Sequence, residues 1–368
     1  MKKVLHYKTN FLNKSETFID RLVQNHLSYQ PIALCYRKRA FTDNIRVFEV
    51  PQKGLASWIN FAAFHSNMTL PFYNQVLRQE KPDLVHAHFG YDAVKLIKAT
   101  QKSGIPLLTS FYGTDVSRLP SEFGWKRRYR KLAANAAHFI AASEFMKNQL
   151  IKLGFPEEKI SIVRFGVDLN GANFNESLPS TPKVMMVGRM VEKKGFEYGI
   201  QAISNLREKG IKPIVNIYGY GPGMKGLKDL TKKSGLLEQV HFHGYQPVER
   251  ILEAHHQHSL LLAPSITAKD GDMEGLPNTI LEAMAQGTPV VTTRHAAIPE
   301  VIEDKKTGFL VNERDADGLA DIMEKIFRNE FDLNQIRHKA RKTIEEAYSI
   351  QQMVRNVEAI YDKININD

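Results

Sequence analysis

The stretch KVMMVGRMVEKKGFEYGIQAISNLREKGIKPIVNIYGY, residues 183–220, decides the architecture. Residues 183–187 are mostly apolar and read as a buried strand that Gly188 ends. Residues 195–209 read as a helix, and 214–218 return to a strand. A strand, a helix and a second strand on short loops make a βαβ unit, which places its two strands parallel in one sheet. The pattern continues on both sides. Downstream, strands are expected at 240–243, 259–263 and 289–293, with helices at 224–234, 278–286, 316–329 and 333–348. Upstream, strands are expected at 3–7, 31–36, 45–51, 84–88, 106–111, 139–142 and 160–164, with helices at 17–27, 91–103, 123–136 and 144–153. The polar stretch 170–182 carries two prolines and reads as a linker. The expected fold is therefore α/β, with two Rossmann-like doubly wound domains over 1–170 and 171–347, facing across a cleft. Parallel sheets bind ligands beyond the carboxyl ends of their strands.

The length agrees, since 368 residues suit two domains of ~150 to 200. Apolar residues at 43% and charged residues at 24% exclude a mainly disordered chain. No apolar run reaches the ~18 to 20 residues of a membrane helix. The basic start Met1-Lys2-Lys3 meets polar residues by Lys8-Thr9-Asn10, too early for a signal peptide. One cysteine, Cys35, makes no internal disulfide and no thiolate zinc site, so a cytoplasmic location is the expectation. The net charge of +10 is uneven. Residues 1–170 hold 25 basic against 13 acidic residues, or +12, and 171–368 hold 25 against 27, or −2. A basic first half suggests an anionic partner: nucleic acid, a membrane surface or a phosphorylated substrate.

Two segments carry chemistry. Glu274-Gly275-Leu276-Pro277-Asn278-Thr279-Ile280-Leu281-Glu282 sets two carboxylates eight apart across a turn and the start of a helix. Gly275 permits close backbone approach. The amides near Asn278 and Thr279 open the helix and suit a diphosphate, while the flanking acids suit hydroxyls. The same residues also fit a surface helix with two solvated acids. The second segment is Gly188-Arg189-Met190-Val191-Glu192-Lys193-Lys194-Gly195, in which Arg189 and Lys194 can neutralise phosphate charge at a strand end. Taken alone it also fits an ordinary basic loop.

Together with Gly287-Thr288-Pro289-Val290-Val291 and Ile298-Pro299-Glu300, these segments resemble the donor domain of glycosyltransferase family 4, whose members are retaining enzymes of the GT-B fold. The first half is similar through Ser15-Glu16-Thr17-Phe18, His86-Ala87-His88-Phe89-Gly90 and Phe165-Gly166-Val167-Asp168. The resemblance implies a two-domain enzyme that moves a sugar from a UDP- or GDP-linked nucleotide donor, without cofactor or metal. Residues 348–368 are expected to form a helix crossing back to the first domain. Arg189 and Lys194 would stabilise the diphosphate leaving group. Glu282 would hold the ribose. Glu274 with Gly275, Leu276, Pro277, Asn278 and Thr279 would hold the sugar. His243, Gly244 and Tyr245 would meet the base. The acid and nucleophile pair of glycosidases is not implied, because this leaving group is already a good one.

Two departures stand out. Tyr112, in Phe111-Tyr112-Gly113-Thr114-Asp115, stands where the family often has a histidine. Asn13-Lys14-Ser15-Glu16-Thr17 replaces paired glycines, with Ser15 as the expected helix cap. On the resemblance, Ser15, Glu16, His88, Tyr112 and Asp115 would contact acceptor or sugar, and His86 would be a packed neighbour. His86 and His88 share a strand face and could also pair on a metal. His241, His243, His255, His256 and His258 lack the partners that complete a zinc site. Gly219-x-Gly221-Pro222-Gly223 is not a dinucleotide fingerprint.

The run Trp125-Lys126-Arg127-Arg128-Tyr129-Arg130-Lys131-Leu132 could lie on anionic lipid, or be a solvated face. The reading is a retaining sugar transferase acting on a glycan or lipid-linked acceptor in cell-surface polysaccharide synthesis, cytoplasmic or peripheral at the inner membrane face. The alternatives are a sugar-nucleotide epimerase of related architecture and a nucleic-acid-binding protein. The latter rests on charge alone, and the chain lacks the aromatic strand motifs of common RNA modules, so no nucleic-acid partner is expected.

Overall fold

The computed structural model describes residues 1–11, 16–39, 44–54, 57–58, 60–62, 69–169 and 171–366. Contacts divide the chain into one unit of Met1–Gly166 with Ile350–Asp368 and a second unit of Val167–Ser349. The first division falls a few residues before the expected linker.

The first unit holds a seven-stranded parallel sheet. Its order is Arg46–Glu49, Tyr29–Cys35, Lys2–Tyr7, Leu84–His88, Leu107–Phe111, His138–Ala141 and Ile160–Ile162. The order reverses at Lys2–Tyr7, which pairs with Tyr29–Cys35 on one side and Leu84–His88 on the other. The helix Ile350–Ile366 docks here. It buries Val354, Val357 and Tyr361 against Val4, Leu84 and Leu108.

The second unit holds a six-stranded parallel sheet. Its order is Val240–Gly244, Ile214–Tyr218, Lys183–Val187, Leu260–Ala263, Val290–Thr293 and Phe309–Val311. The reversal lies at Lys183–Val187. One side is covered by Phe196–Glu208 and Ala316–Phe327, through Phe196, Ile200, Ile203, Leu319 and Met323. Strands Lys183–Val187, Leu260–Ala263 and Phe309–Val311 are near-continuous buried apolar runs, as strands covered on both faces are, whereas the edge strand Val240–Gly244 alternates exposed residues with buried or half-buried ones.

Arg337 is the largest fully buried side chain. Its guanidinium donates to Gly287 O and Asn175 O, bonds Asn334 Oδ1 at 3.1 Å, and lies 5.1 Å over the Phe174 ring. A buried cation persists only where its donors are satisfied. Here they fasten the linker segment to the second unit.

The expected helix 91–103 is two pieces, Gly90–Ala93 and Ile97–Ser103. The break keeps buried Asp92 on Thr9 N at 3.0 Å and on Lys95 Nζ at 3.0 Å. The expected cap Ser15 lies outside the described residues. Helix Thr17–Gln24 has Glu16 at its N-cap, with no side-chain cap bond.

Candidate active site

The reversal in the second sheet leaves a concave place beyond the carboxyl end of Lys183–Val187. The loop after that strand closes in the short 3-10 turn Glu192–Lys194 and then Gly195, whose φ of 61° starts helix Phe196–Glu208. A Cβ at Gly195 would sit 1.8 Å from Pro264 O, so no side chain fits there. Gly219 crosses the same loop, and its Cβ would meet Gly188 O at 1.9 Å. The glycines after Tyr218 therefore serve backbone crossing rather than a dinucleotide.

The turn points Lys193 and Lys194 to the segment before helix Asn278–Gln286. Lys194 Nζ lies 3.2 Å from Glu274 Oε2, and Lys193 Nζ lies 3.6 Å from Glu274 Oε1 and 3.1 Å from Asp272. Burial pushes the Glu274 carboxyl up, but Lys194 and Lys193 outweigh it and hold it down at about 2. Glu274 Oε1 is buried and has no hydrogen-bond partner among the described residues. The helix has no side-chain cap, and the amides of Asn278 and Thr279 donate to nothing among the described residues. These amides and the helix dipole favour an anion. Glu282, one turn further, is 7% exposed. Arg189 is exposed and has no ion-pair partner among the described residues. Gly275, Leu276 and Pro277 are buried in the connecting segment.

At the far strand, Tyr218 stacks on His243 with centroids 4.9 Å apart. His243 Nε2 donates to Asn216 Oδ1 at 2.7 Å, and Asn216 Nδ2 donates to His258 Nε2 at 2.9 Å. Burial lowers the affinity of both rings for a second proton. Gly244 accepts from Gly219 N at 2.7 Å. Tyr220 and Tyr245, 62% and 46% exposed, stand edge to face beside this turn.

In the first unit the expected contacts fall differently. His88 and Asp115 are fully buried. Asp115 accepts from the amides of Gly90, Tyr112 and Gly113 at 2.9 to 3.1 Å, so its carboxylate is spent on the backbone. His88 belongs to a hydrogen-bonded chain: Tyr112 OH to His88 Nδ1 at 2.7 Å, His88 Nε2 to His6 Nδ1 at 3.0 Å, His6 Nε2 to His26 Nε2 at 2.9 Å, and His26 Nδ1 to Glu358 Oε1 at 3.0 Å. With neutral rings and an ionised Glu358, one direction satisfies every link, and Tyr112 is its first donor. His88, expected to contact acceptor or sugar, has both ring nitrogens on protein groups within this chain.

His86 is indeed packed, on Tyr361 OH and Ser110 Oγ, both at 2.7 Å. Among the described residues, His6, His86 and His88 are the group with metal-ligand spacing, within 4.8 Å. Their nitrogens are already bonded to protein. Glu16 pairs with buried Lys8 at 3.1 Å.

Sequence reasoning missed Lys193, Asp272, His295 and Glu313. His295 Nε2 accepts from Glu274 N at 3.1 Å, and His295 Nδ1 donates to Glu313 Oε1 at 2.6 Å. Eighteen residues separate those two, and only the pairing of Thr293 with Val311 in parallel register brings them together.

Comparison with known proteins agrees with this geometry. The family described as glycosyl transferases group 1 matches residues 172–347, and glycosyltransferase family 4 matches 29–170. The amylovoran biosynthesis glycosyltransferase of Erwinia amylovora is 32% identical over 314 residues, which is 83% of this chain and 76% of that one. A protein of Escherichia coli strain K12, assigned provisionally as a colanic acid biosynthesis glycosyltransferase, is 32% identical over 78% of this chain and 72% of its own. Among solved structures, Anabaena HepE in complex with UDP superposes with a TM-score of 0.81 at 18% identity, over 99% of this chain and 100% of that one. Both sheets, both halves of the sequence and the aligned relatives lead to one assignment: the chain belongs to the group 1, family 4 glycosyltransferases and has their GT-B fold.

Proposed function

We propose that this glycosyltransferase moves a hexose with retention from a UDP- or GDP-linked donor to a glycan or lipid-linked acceptor in exopolysaccharide synthesis. The observation that carries the donor reading is the Glu274 corner. A buried carboxylate oxygen without a hydrogen-bond donor stands beside two lysines and unpartnered helix amides. A sugar hydroxyl satisfies the oxygen, and a diphosphate satisfies the cations and amides. Arg189 and Lys194 neutralise the charge that grows on the diphosphate as its bond to the sugar breaks. Side chains supply that counter-charge, which supports a reaction needing no metal. Glu282 takes the ribose, and the turn at His243, Gly244 and Tyr245 takes the base. Solved HepE structures with UDP, and with UDP-glucose, support a nucleotide-sugar donor, and the relatives named for amylovoran and colanic acid support the polysaccharide product.

The acceptor reading places the protein at the inner membrane face as a peripheral enzyme. Helix Trp125–Asn135 supports it. Lys126, Arg127, Arg130 and Lys131 are exposed and pair with no acid among the described residues, Arg128 lies 4.8 Å over Trp125, and Phe123 beside them is fully exposed. No helix among the described residues is long and apolar enough to cross a membrane.

The test is a panel of UDP- and GDP-sugars read by thermal shift, then NMR of the product made from the stabilising donor. The expected product keeps the donor's anomeric configuration, and chelator leaves the rate unchanged. An inverted product, or a rate abolished by chelator, contradicts the reading. Conversion of the donor into an epimeric nucleotide sugar without acceptor, with no net release of nucleotide diphosphate, points instead to an epimerase.

A further inference from the structure

The parallel register that pairs Thr293 with Val311 carries two residues further, to His295 and Glu313. His295 is 1% exposed. Its Nδ1–H donates to Glu313 Oε1 at 2.6 Å, which leaves Nε2 as an acceptor, and the Glu274 amide fills it at 3.1 Å. Glu313 is fixed in turn by the next strand's loop. It accepts from Thr267 N at 2.8 Å and from Thr267 Oγ1 at 3.2 Å, and Arg314 NH1 reaches it at 3.2 Å. The residues following the pair, Ala296 and Arg314, have φ of 45° and 64°. Left-handed backbone at a residue with a side chain is strained and persists only where the surroundings fix it.

Nothing in the donor reading uses this pair. We propose that His295, oriented by Glu313, is a positioning residue for the donor sugar: it holds the Glu274 backbone so that the carboxylate meets the sugar at the correct height. The ring touches no part of the donor. It acts through one amide, and Glu274 is then pulled to Lys194 and Lys193 from the other side. The main chain at 274 is therefore anchored on one side and its carboxylate on the other. This is the arrangement a site needs to hold a first contact within a fraction of an ångström.

The proposal rests on Glu274 being the sugar contact, so the experiment separates the two. Free nucleoside diphosphate and its sugar conjugate are titrated calorimetrically into the full chain and into Glu274→Ala, His295→Leu, His295→Gln and Glu313→Ala. His295→Leu removes both bonds. It should weaken the sugar conjugate about tenfold, the scale of one hydrogen bond, and leave the free diphosphate within about twofold. Glu313→Ala should do the same from one residue further away. His295→Gln keeps a carbonyl oxygen and an N–H at the tip of the side chain, so it should restore most of the sugar-dependent affinity. If His295→Leu unfolds the chain, the glutamine and Glu313 variants still decide. A selective loss in Glu274→Ala with none in His295→Leu or Glu313→Ala overturns the positioning role alone. Equal losses for both ligands, or no rescue by glutamine, overturn it as well. No selective loss in Glu274→Ala overturns the donor reading beneath it.

Discussion

Arg189 and Lys194 sit five positions from each other in one loop and share a positive charge, but they differ in exposure and pairing. Arg189 is exposed and unpaired among the described residues, whereas Lys194 is held by Glu274 at 3.2 Å. Arg189→Ala should therefore leave the melting temperature almost unchanged and lower turnover by roughly 10² to 10³, the effect of losing one donor to a developing anion. Initial rates beside thermal melts check this, and a near-normal rate removes Arg189 from the reaction. The carboxylates divide differently. Glu282→Ala should weaken free nucleotide and sugar nucleotide alike, and Glu274→Ala only the latter. An identical loss for both ligands in both variants contradicts the division. Motif spacing made Arg189, Lys194, Glu274 and Glu282 legible in the sequence, because a βα loop and a helix start each gather their groups within nine residues. His295 and Glu313 were not legible. Their contact depends on which strands are neighbours, and no local pattern carries that information. Ion pairs decided Lys193 as well, since the tight turn after Val191 brings both adjacent lysines to Glu274 and Lys193 to Asp272 besides.

At the scale of elements, long apolar runs between glycines and prolines were readable, and strands Lys183–Val187 and Ile214–Tyr218 fall where expected. Helices Pro71–Glu80 and Val248–His255 and strand Phe309–Val311 were missed. Eight or ten residues give barely two turns of periodicity, and three buried residues give no alternation at all. The helix Ile350–Ile366 illustrates what packing adds. Its Glu358 accepts from Leu27 N, Ser28 N and His26, and Tyr361 meets His86. Burial lowers the pKa of His6, His26, His86 and His88, with His86 brought down to about 3. The folded state keeps these rings neutral, while the unfolded chain protonates them below about pH 6.5. Each ring then loses about 1.4 kcal/mol of stability per pH unit, until the folded-state value is reached. Urea melts should thus show full stability above pH 7 and a steep fall toward pH 5, and a flat profile over that window would mean that the rings accept protons in place. The basic helix Trp125–Asn135 makes its own prediction. Changing Lys126, Arg127, Arg128, Arg130 and Lys131 to Gln should abolish binding to anionic vesicles and spare nucleotide binding, since each basic residue near such a surface is worth ~1 kcal/mol. Equal partition of the wild-type chain onto neutral vesicles contradicts it.

For the whole molecule, charge and chemistry separate between the two units. The excess of basic residues lies in 1–170, and the cations and acids assigned to the donor lie in Val167–Ser349. Each sheet reverses its order at its first strand, yet the two reversal points are furnished differently. The first carries a saturated chain of histidines ending on Tyr112. The second carries, among the described residues, an unpartnered carboxylate oxygen, idle helix amides and an unpaired arginine. A ligand adds most where bonds are waiting to be made, and this is why the proposed donor site is put in the second unit. Hydrogen exchange of the full chain, with and without the nucleoside diphosphate that stabilises it, tests this most directly, because the amides of Asn278 and Thr279 donate to nothing among the described residues and become donors on binding. Slowed exchange is expected at 188–195, 243–245 and 275–280, with residues 1–166 unchanged. Protection confined to residues 1–166, or absent from 275–280 at saturating nucleotide, would contradict it.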